Sequence, residues 1–445
     1  FKTTDTAFSQ KMRNFACDME MLMQHIWQHK MWSGAPGLHS VDGREIEVID
    51  QGMLNTGPGP DFFNAKIRIG RAVWAGNVEV HVRASDWHAH GHDSDAAYRN
   101  VVLHVVSEDD CRISIDGREL PQALLPLAPE VIERYESITR PRVGDAYPCR
   151  DRLPEIPRLW IDDWMTALGY ERLQTKADAA LDLLDRNHGD WLETAYQFLA
   201  RGLGFGANGE AMERTARSVP LRILFKHAAD PLSAPALLLG QAGLLPSPED
   251  AADEVTLRLI NDYNFLSAKF GLSRPTDIRW RTGGIRPANA PCRRLATLAA
   301  MVDNGFTTAT AAWNATSADE AVAVLRNAPP MHTYFTSHHR PAVLSARPVS
   351  ASLSINAANI LIINVIAPLI YARGYLADDT AAMERAVYML QGLPPEDTAE
   401  VRTFAAMGLE CHDAFATQAL HRLRTAYCDT RKCIYCRWGH RLLAT

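Results

Sequence analysis

The 445-residue chain is short of the features that would fix its class at a glance. Its eight cysteines are too sparse for a disulfide scaffold. There is no basic excess: the formal net charge is −6, so charge alone does not hold nucleic acid to the whole molecule, although a local basic surface is compatible with that total. No basic segment followed by an apolar stretch and a small-residue cleavage site opens the sequence, and the expectation is a cytoplasmic protein without a secretory signal. The most apolar segment, SLSINAANILIINVIAPLIYA at 352–372, is interrupted by Asn356, Asn359, Asn364 and Pro368, each costly at membrane depth. A buried helix, kinked or ended near Pro368, is expected there rather than a membrane span. No fixed-period repeat stands out.

What is present is a hydrophobic content of 47%, enough for two domains with their own cores. Residues 19–32, MEMLMQHIWQHKMW, carry apolar side chains at helical spacing, and REIEVID at 44–50 alternates like a strand. GPDFFNAKIRIGRAVWAGNVEVHV then predicts a hairpin with strands at 61–69 and 72–83 and a turn at Gly70 and Arg71. A short helix is expected in HDSDAAYRN, a strand at 101–108, and a second hairpin at 111–120 turning through Asp116 and Gly117. Residues 15–120 therefore read as an α/β core. A Pro- and Arg-rich linker or wrapping arm is expected at 121–155, a helical domain at 156–410, and a basic cysteine-containing module at 411–445, mixed α+β overall.

The chemistry concentrates in the first hairpin. Residues 79 and 81 share one face of a strand because its period is two, and Asp61 sits opposite them if the hairpin pairs. Two converging carboxylates repel unless a cation neutralises them, and Mg²⁺ or Mn²⁺ suits hard oxygen ligands while leaving room for water and phosphate oxygens. Asp61 and Glu79 are thus the expected metal ligands. His81 would accept a proton, ligate the metal or, when protonated, face a phosphate. SDWHAHGHDSDAAYRN adds His90 and His92, and His104 follows on the next strand, a set that fits a histidine-rich metallohydrolase of another kind. Trp74 and Trp87 are candidates for stacking on a base or sugar.

The end of the chain, HRLRTAYCDTRKCIYCRWGHRLLAT, places Cys428, Cys433 and Cys436 at C-x4-C-x2-C spacing, with Cys411 as a fourth ligand from the preceding segment. Such thiolates suit structural Zn²⁺ or an iron–sulfur cluster. Arg431, Lys432 and Arg437 interleave with aromatics that include Trp438, an arrangement suited to phosphate contact and stacking on DNA or RNA. A second basic loop, RTGGIRPANAPCRRLATLA at 281–299, offers Arg286, Asn289 and Arg294 ahead of a helix.

GMLNTGPGPDFFNAKIRIG, WAGNVEVHVRASDWHAHGHDSDAAYRNVVLHVV, IRPANAPCRRLATLA and YCDTRKCIYCRWGHRLL together resemble the bacterial family called domain of unknown function 2851, which implies no settled activity. The order helix, three strands, helix, strand, with Pro60-Asp61 beginning the second strand and Glu79 on the third, resembles the restriction-endonuclease superfamily named for its Pro-Asp then Asp/Glu-any-Lys motif. That likeness implies an αβββαβ core and a divalent-metal-dependent nuclease, with Asp61 and Glu79 as metal ligands and His81 where the lysine is expected. It also implies a further carboxylate at Glu20 and a substrate contact at Tyr98. Some relatives close their core with one early and three late cysteines around a four-iron cluster, which makes Cys17 an alternative fourth thiol. A degenerate core would instead make the chain a noncatalytic nucleic-acid-binding or scaffold protein.

Overall fold

In a computed structural model of the chain, residues 18–32, 38–125, 127, 129–140, 147–303 and 305–444 are described. The chain divides into two units, one comprising residues 1–161 with 426–445 and the other residues 162–425. The first unit is mixed α+β and the second is mainly helical, with a short antiparallel pair, His338–Arg340 and Val343–Leu344.

In the first unit, residues 18–28 form helix α1, whose Met19, Leu22, Met23, Ile26 and Trp27 make a buried stripe. A seven-stranded sheet contains β1 (His39–Ser40), β2 (Ile46–Asp50), β3 (Met53–Leu54), β4 (Phe62–Ile69), β5 (Ala72–Arg83), β6 (Val101–Glu108) and β9 (Gln122–Leu124). Its order is β1-β9-β6-β5-β4-β2, with β3 paired to β4. Strands β2, β4 and β5 form an antiparallel meander, whereas β5, β6 and β9 run parallel. The hairpin β7 (Ser114–Ile115) and β8 (Arg118–Glu119) turns through Asp116 and Gly117 with φ of 49° and 76°, the positive pair its two-residue loop demands.

Antiparallel β4 and β5 need only a tight turn, but the parallel step from β5 to β6 requires a crossover. The sequence predicts a short helix in HDSDAAYRN for this purpose. Instead, helix α2 (Asp86–Ala89) comes earlier, Gly91 stops it at φ 77°, and two 3₁₀ turns, His92–Ser94 and Ala96–Tyr98, complete the crossing. Asp95 starts the second turn by accepting a hydrogen bond from the Ala97 N–H. The stretch expected to be a linker at 121–155 also departs from expectation: Gln122–Leu124 is a sheet strand and Pro129–Thr139 is helix α3. Burial of Ala123 and Leu125 outweighs the turn-forming prolines around them.

Strand β5 is central, and its residues 76–81 are buried on both faces. Val78 and Val80 point into the apolar core, each burial contributing about 1.5–3 kcal/mol. Asn77, Glu79 and His81 occupy the opposite face and are also buried, a cost that an apolar strand would not carry.

In the helical unit, the apolar segment forms a continuous helical stretch, Ile355–Leu376, long and apolar enough to cross a membrane and mostly buried in the protein. It does not end at Pro368. A π-helical turn at Ile362–Ile366 precedes the proline and accommodates its missing N–H. The half-buried Lys176 ammonium donates to the Ile363 carbonyl at 3.1 Å and to Asn364 Oδ1 at 2.9 Å, satisfying polar groups that this irregularity leaves open.

Candidate metal centre

Asp61 lies one residue before β4, and the pairing of Phe62 with Val78 places it across from Glu79. The register then shifts between Phe62 and Ala65, where Asn64 adopts φ 59°. This bulge lets the strand bend away below the site while its head stays paired. The two acids are tied reciprocally through backbone. The Asp61 N–H donates to Glu79 Oε2, and the Val80 N–H donates to Asp61 Oδ2, both at 3.0 Å. Helix α1 adds Glu20 and Gln24 from one face, four residues apart, and Gln24 Nε2 donates to Asp61 Oδ1 at 2.9 Å.

His81 Nε2 is the hub of the remaining donors. It stands 3.1 Å from His90 Nδ1, 3.5 Å from Glu79 Oε1 and 3.7 Å from Glu20 Oε1. His92 Nε2 approaches Glu79 Oε1 to 3.2 Å. Ligand atoms bound to one ion at metal–ligand distances of about 2.0–2.2 Å stand roughly 3.0–3.5 Å apart, so this cluster has the spacing of a coordination shell. Ring nitrogens of His81, His90 and His92 all lie within 4.8 Å of one another. His104, opposite Glu79 on β6, supports His81 from behind, Nε2 to Nδ1 at 2.9 Å. Tyr98 stacks on His92 with centroids 3.8 Å apart. Solvent reaches the cluster where His90 is exposed and Glu20 is partly so.

Burial and mutual repulsion push the acids far above the usual carboxylate range. Glu20 rises to about 8 through desolvation and then the charges of Asp61 and Glu79. Desolvation followed by Glu79 takes Asp61 to about 7, and desolvation takes Glu79 to about 8. Burial next to other imidazoles drives His81 down to about 2 and His104 to about 3. Burial therefore favours the neutral ring, which suits two of the three expected roles of His81, proton acceptor and metal ligand, better than the third, a protonated ring facing phosphate. A neutral imidazole among carboxylates that resist ionisation is a donor set fitted to a divalent cation, which would restore their charge.

Other expected site residues are placed differently. Trp87 is buried in a small core with Tyr98, Val101, Ile113 and Leu120, and Trp74 is half-buried beneath Arg118. Trp438 is 2% exposed, so it packs rather than stacking on a base. Arg431, Lys432 and Arg437 are exposed in the first unit. In the helical unit, Arg294 is buried over the Phe205 ring and donates to Asn289 Oδ1 at 2.5 Å, a structural role in place of the expected nucleic-acid contact. Arg286 is exposed and lines a cavity of about 740 Å³ with Arg340 and Arg347.

Residues 20–399 match the family described as Protein of unknown function (DUF2851). The chain belongs to this family. No curated protein and no solved structure matches the chain. The DUF2851 match opens at Glu20 and encloses Asp61, Glu79, His81, His90, His92 and His104, while the late cysteines lie beyond it.

Among the late cysteines, Cys428 also feels Cys149, a residue that sequence spacing did not suggest. Burial raises the Cys428 thiol, and so does the proximity of Cys436, Cys149 and Cys433. The Cys433 thiol is pushed up to about 11 by burial and Cys436. Cys149 stands in the Pro/Arg-rich stretch, where a lone cysteine gives no pattern to read. Cys411 belongs to the helical unit, and Cys17 lies outside the described residues. Gly439, on the C-terminal helix Arg437–Ala444, packs against the Cys433 backbone so closely that an added Cβ would stand 1.9 Å from the Cys433 carbonyl oxygen. Gly439→Ala is expected to destabilise the unit by about 1–3 kcal/mol, the usual cost of overpacking. A denaturant midpoint equal to the parent's would contradict this.

Proposed function

We propose that the chain is a divalent-metal-dependent hydrolase of DNA or RNA phosphodiester bonds. The reading is carried by one arrangement: Asp61 and Glu79 face each other where an antiparallel meander meets a parallel crossover, and the helix before the meander supplies Glu20 and Gln24. The order α1, β2, β4, β5, α2, β6 supports the likeness to a restriction-endonuclease core. Asp61, Glu79 and Glu20 would hold the ion together with imidazole nitrogens, a mixed set that favours Mn²⁺ over Mg²⁺. A bound ion of this kind lowers the pKa of water and stabilises charge developing on phosphate. The protein's own part is to fix Asp61 through Gln24 and Val80, and to keep His81 neutral and oriented through His104. Exposed Arg431, Lys432 and Arg437 are the proposed backbone contacts. The test is incubation with labelled single-stranded, duplex and branched substrates in Mn²⁺ and in Mg²⁺. Binding without cleavage under all conditions would favour the noncatalytic alternative.

The convergence of His81, His90 and His92 favours a second reading, a histidine-rich metallohydrolase acting on another substrate. Hydrolysis of small phosphate esters or amides with nucleic acids untouched would support it.

The thiols form a separate proposed site, with Cys149, Cys428, Cys433 and Cys436 holding Zn²⁺ or an iron–sulfur cluster. Metal analysis and an absorption spectrum distinguish the two. Cys149→Ser is expected to lower the metal content and Cys411→Ser to leave it unchanged; the opposite pattern would restore Cys411 as the fourth ligand.

A further inference from the structure

Helix α1 and the turn that ends it carry a second set of donors beside the acid site. Glu20 and Gln24 serve that site, and the neighbouring ridge presents His25 and His29, again four residues apart. His440 of the C-terminal helix completes a triangle with them, all three within the first unit. Ring centroids are 4.4 Å apart for His25 and His29, 4.4 Å for His29 and His440, and 5.0 Å for His25 and His440. One nitrogen of each ring lies within 4.8 Å of the others, and His25 Nε2 stands 2.8 Å from His440 Nδ1.

As plain packing this cluster is poorly satisfied. His25 is 2% exposed, yet its Nδ1 has no hydrogen-bond partner. Among the described residues no carboxylate pairs with any of the three rings, so they are not a protonated, ion-paired group. Burial and the adjoining imidazoles hold His25 down at about 3, and the ring is neutral near pH 7. Neutral imidazoles crowded together without acids, two from one helix face and one from another element, have the composition of a transition-metal shell.

We infer that His25, His29 and His440 form a second divalent-metal site, for an ion of the Zn²⁺ class, that fastens the C-terminal helix to α1. An all-imidazole set excludes Mg²⁺ and Ca²⁺, which take oxygen ligands. Because α1 also carries Glu20 and Gln24, an ion here would steady the helix that completes the acid site from outside that site.

Titration of the metal-free full chain with Co²⁺, followed by visible absorption and by metal stoichiometry, tests the site. Parent protein is expected to show a nitrogen-ligated Co²⁺ component, distinct from any thiolate charge transfer at the late cysteines, that persists in Asp61→Ala, Glu79→Ala and Cys433→Ser variants. His29→Ala and His440→Ala are each expected to weaken that component by at least about tenfold, the low end of what losing even an outer-shell partner costs a metal site. His29 is exposed, so His29→Ala should keep the metal-free melting temperature and lose only the rise that Co²⁺ produces. Unchanged Co²⁺ stoichiometry and affinity in both histidine variants would overturn the site. Loss in Asp61→Ala with retention in His29→Ala would also overturn it, by assigning the signal to the acid cluster.

Discussion

Asp61→Ala and Glu79→Ala are each expected to reduce Mn²⁺-dependent phosphodiester cleavage by roughly a thousandfold or more, the scale on which losing one preorganised charge-stabilising group is felt. Both effects should exceed those of the histidines because the two acids are locked to each other's strands. Removing Asp61 frees the Val80 N–H and the Gln24 amide, and removing Glu79 frees the Asp61 N–H and the nitrogen of His92. The metal affinity of each variant should fall in parallel with its activity, since the same oxygens carry both. Gln24→Ala, which leaves every proposed ligand in place, should retain metal binding and lose rate through a less ordered Asp61. Cleavage that survives in both alanine variants would remove these residues from the chemistry. A larger loss in His90→Ala and His92→Ala than in Asp61→Ala would shift the assignment to the histidine-centred reading.

The double variant Asp61→Asn with Glu79→Gln sharpens that contrast. It preserves shape and most hydrogen-bonding capacity while removing the two charges, so loss of activity in a stably folded protein would trace to ionisation rather than packing. Stable folding is itself expected. Burying neutral amides that keep hydrogen-bond partners costs less than burying two repelling carboxyls.

How far the sequence discloses this site depends on the reach of each signal. The hairpin is legible because its period of two and its Gly70 turn are local, and period two also places Glu79 and His81 on one face. The Asp116-Gly117 turn is legible for the same reason. Glu20 is reached in the sequence only through the resemblance, and Gln24 becomes meaningful only when α1 meets the sheet, a tertiary event that leaves no mark in the spacing of the helix. Strand β9 is three residues long, too short to show alternation, and its place beside β6 is fixed by partners rather than propensity. The basic, aromatic-rich tail suggests a stacking platform, but a tryptophan reads the same whether it faces a base or, as Trp438 does, the interior. His25 and His440 are separated by 415 positions, beyond any motif. Cys149, which helps raise the Cys428 thiol, is likewise far from it in sequence.

Metal-free protein is expected to lose stability as pH rises from about 6.5 to 8.5, and Mn²⁺ is expected to reverse that slope. In the folded state Asp61 titrates near 7, and Glu20 and Glu79 near 8, against 3.8 and 4.5 without the fold. These raised values mean that the folded protein holds protons the unfolded chain has released. Their contribution is full below about pH 4 and is lost as pH climbs through 7 to 8, with a slope near 1.4 kcal/mol per pH unit for each excess proton. The three acids share one site, so the protons leave as a coupled set. His81 and His104 act in the opposite sense. Their folded values, about 2 and 3, lie below the unfolded 6.5, so the stability they contribute is present above pH 6.5 and lost as pH falls. Between about 4.5 and 6.5 the two trends offset each other; above 6.5 these histidines are neutral in both states and, within this cluster, only the carboxyl trend remains, partly opposed elsewhere by Lys176, whose ammonium burial lowers to about 7. Mn²⁺ binds ionised carboxylates and neutral imidazoles and releases protons, so its stabilising effect grows with pH over the window in which the metal-free protein weakens. Thermal melts at fixed ionic strength from pH 5.5 to 8.5, with chelator and with Mn²⁺, measure both slopes, each kcal/mol appearing as roughly 2–4 °C. Asp61→Asn with Glu79→Gln should flatten the metal-free curve above pH 6.5 and abolish the Mn²⁺ response. A metal-free melting temperature that rises from pH 6.5 to 8.5, or Mn²⁺ stabilisation greater at pH 5.5 than at pH 8, would show that these carboxyls are not the buried, proton-sharing cluster that the geometry implies.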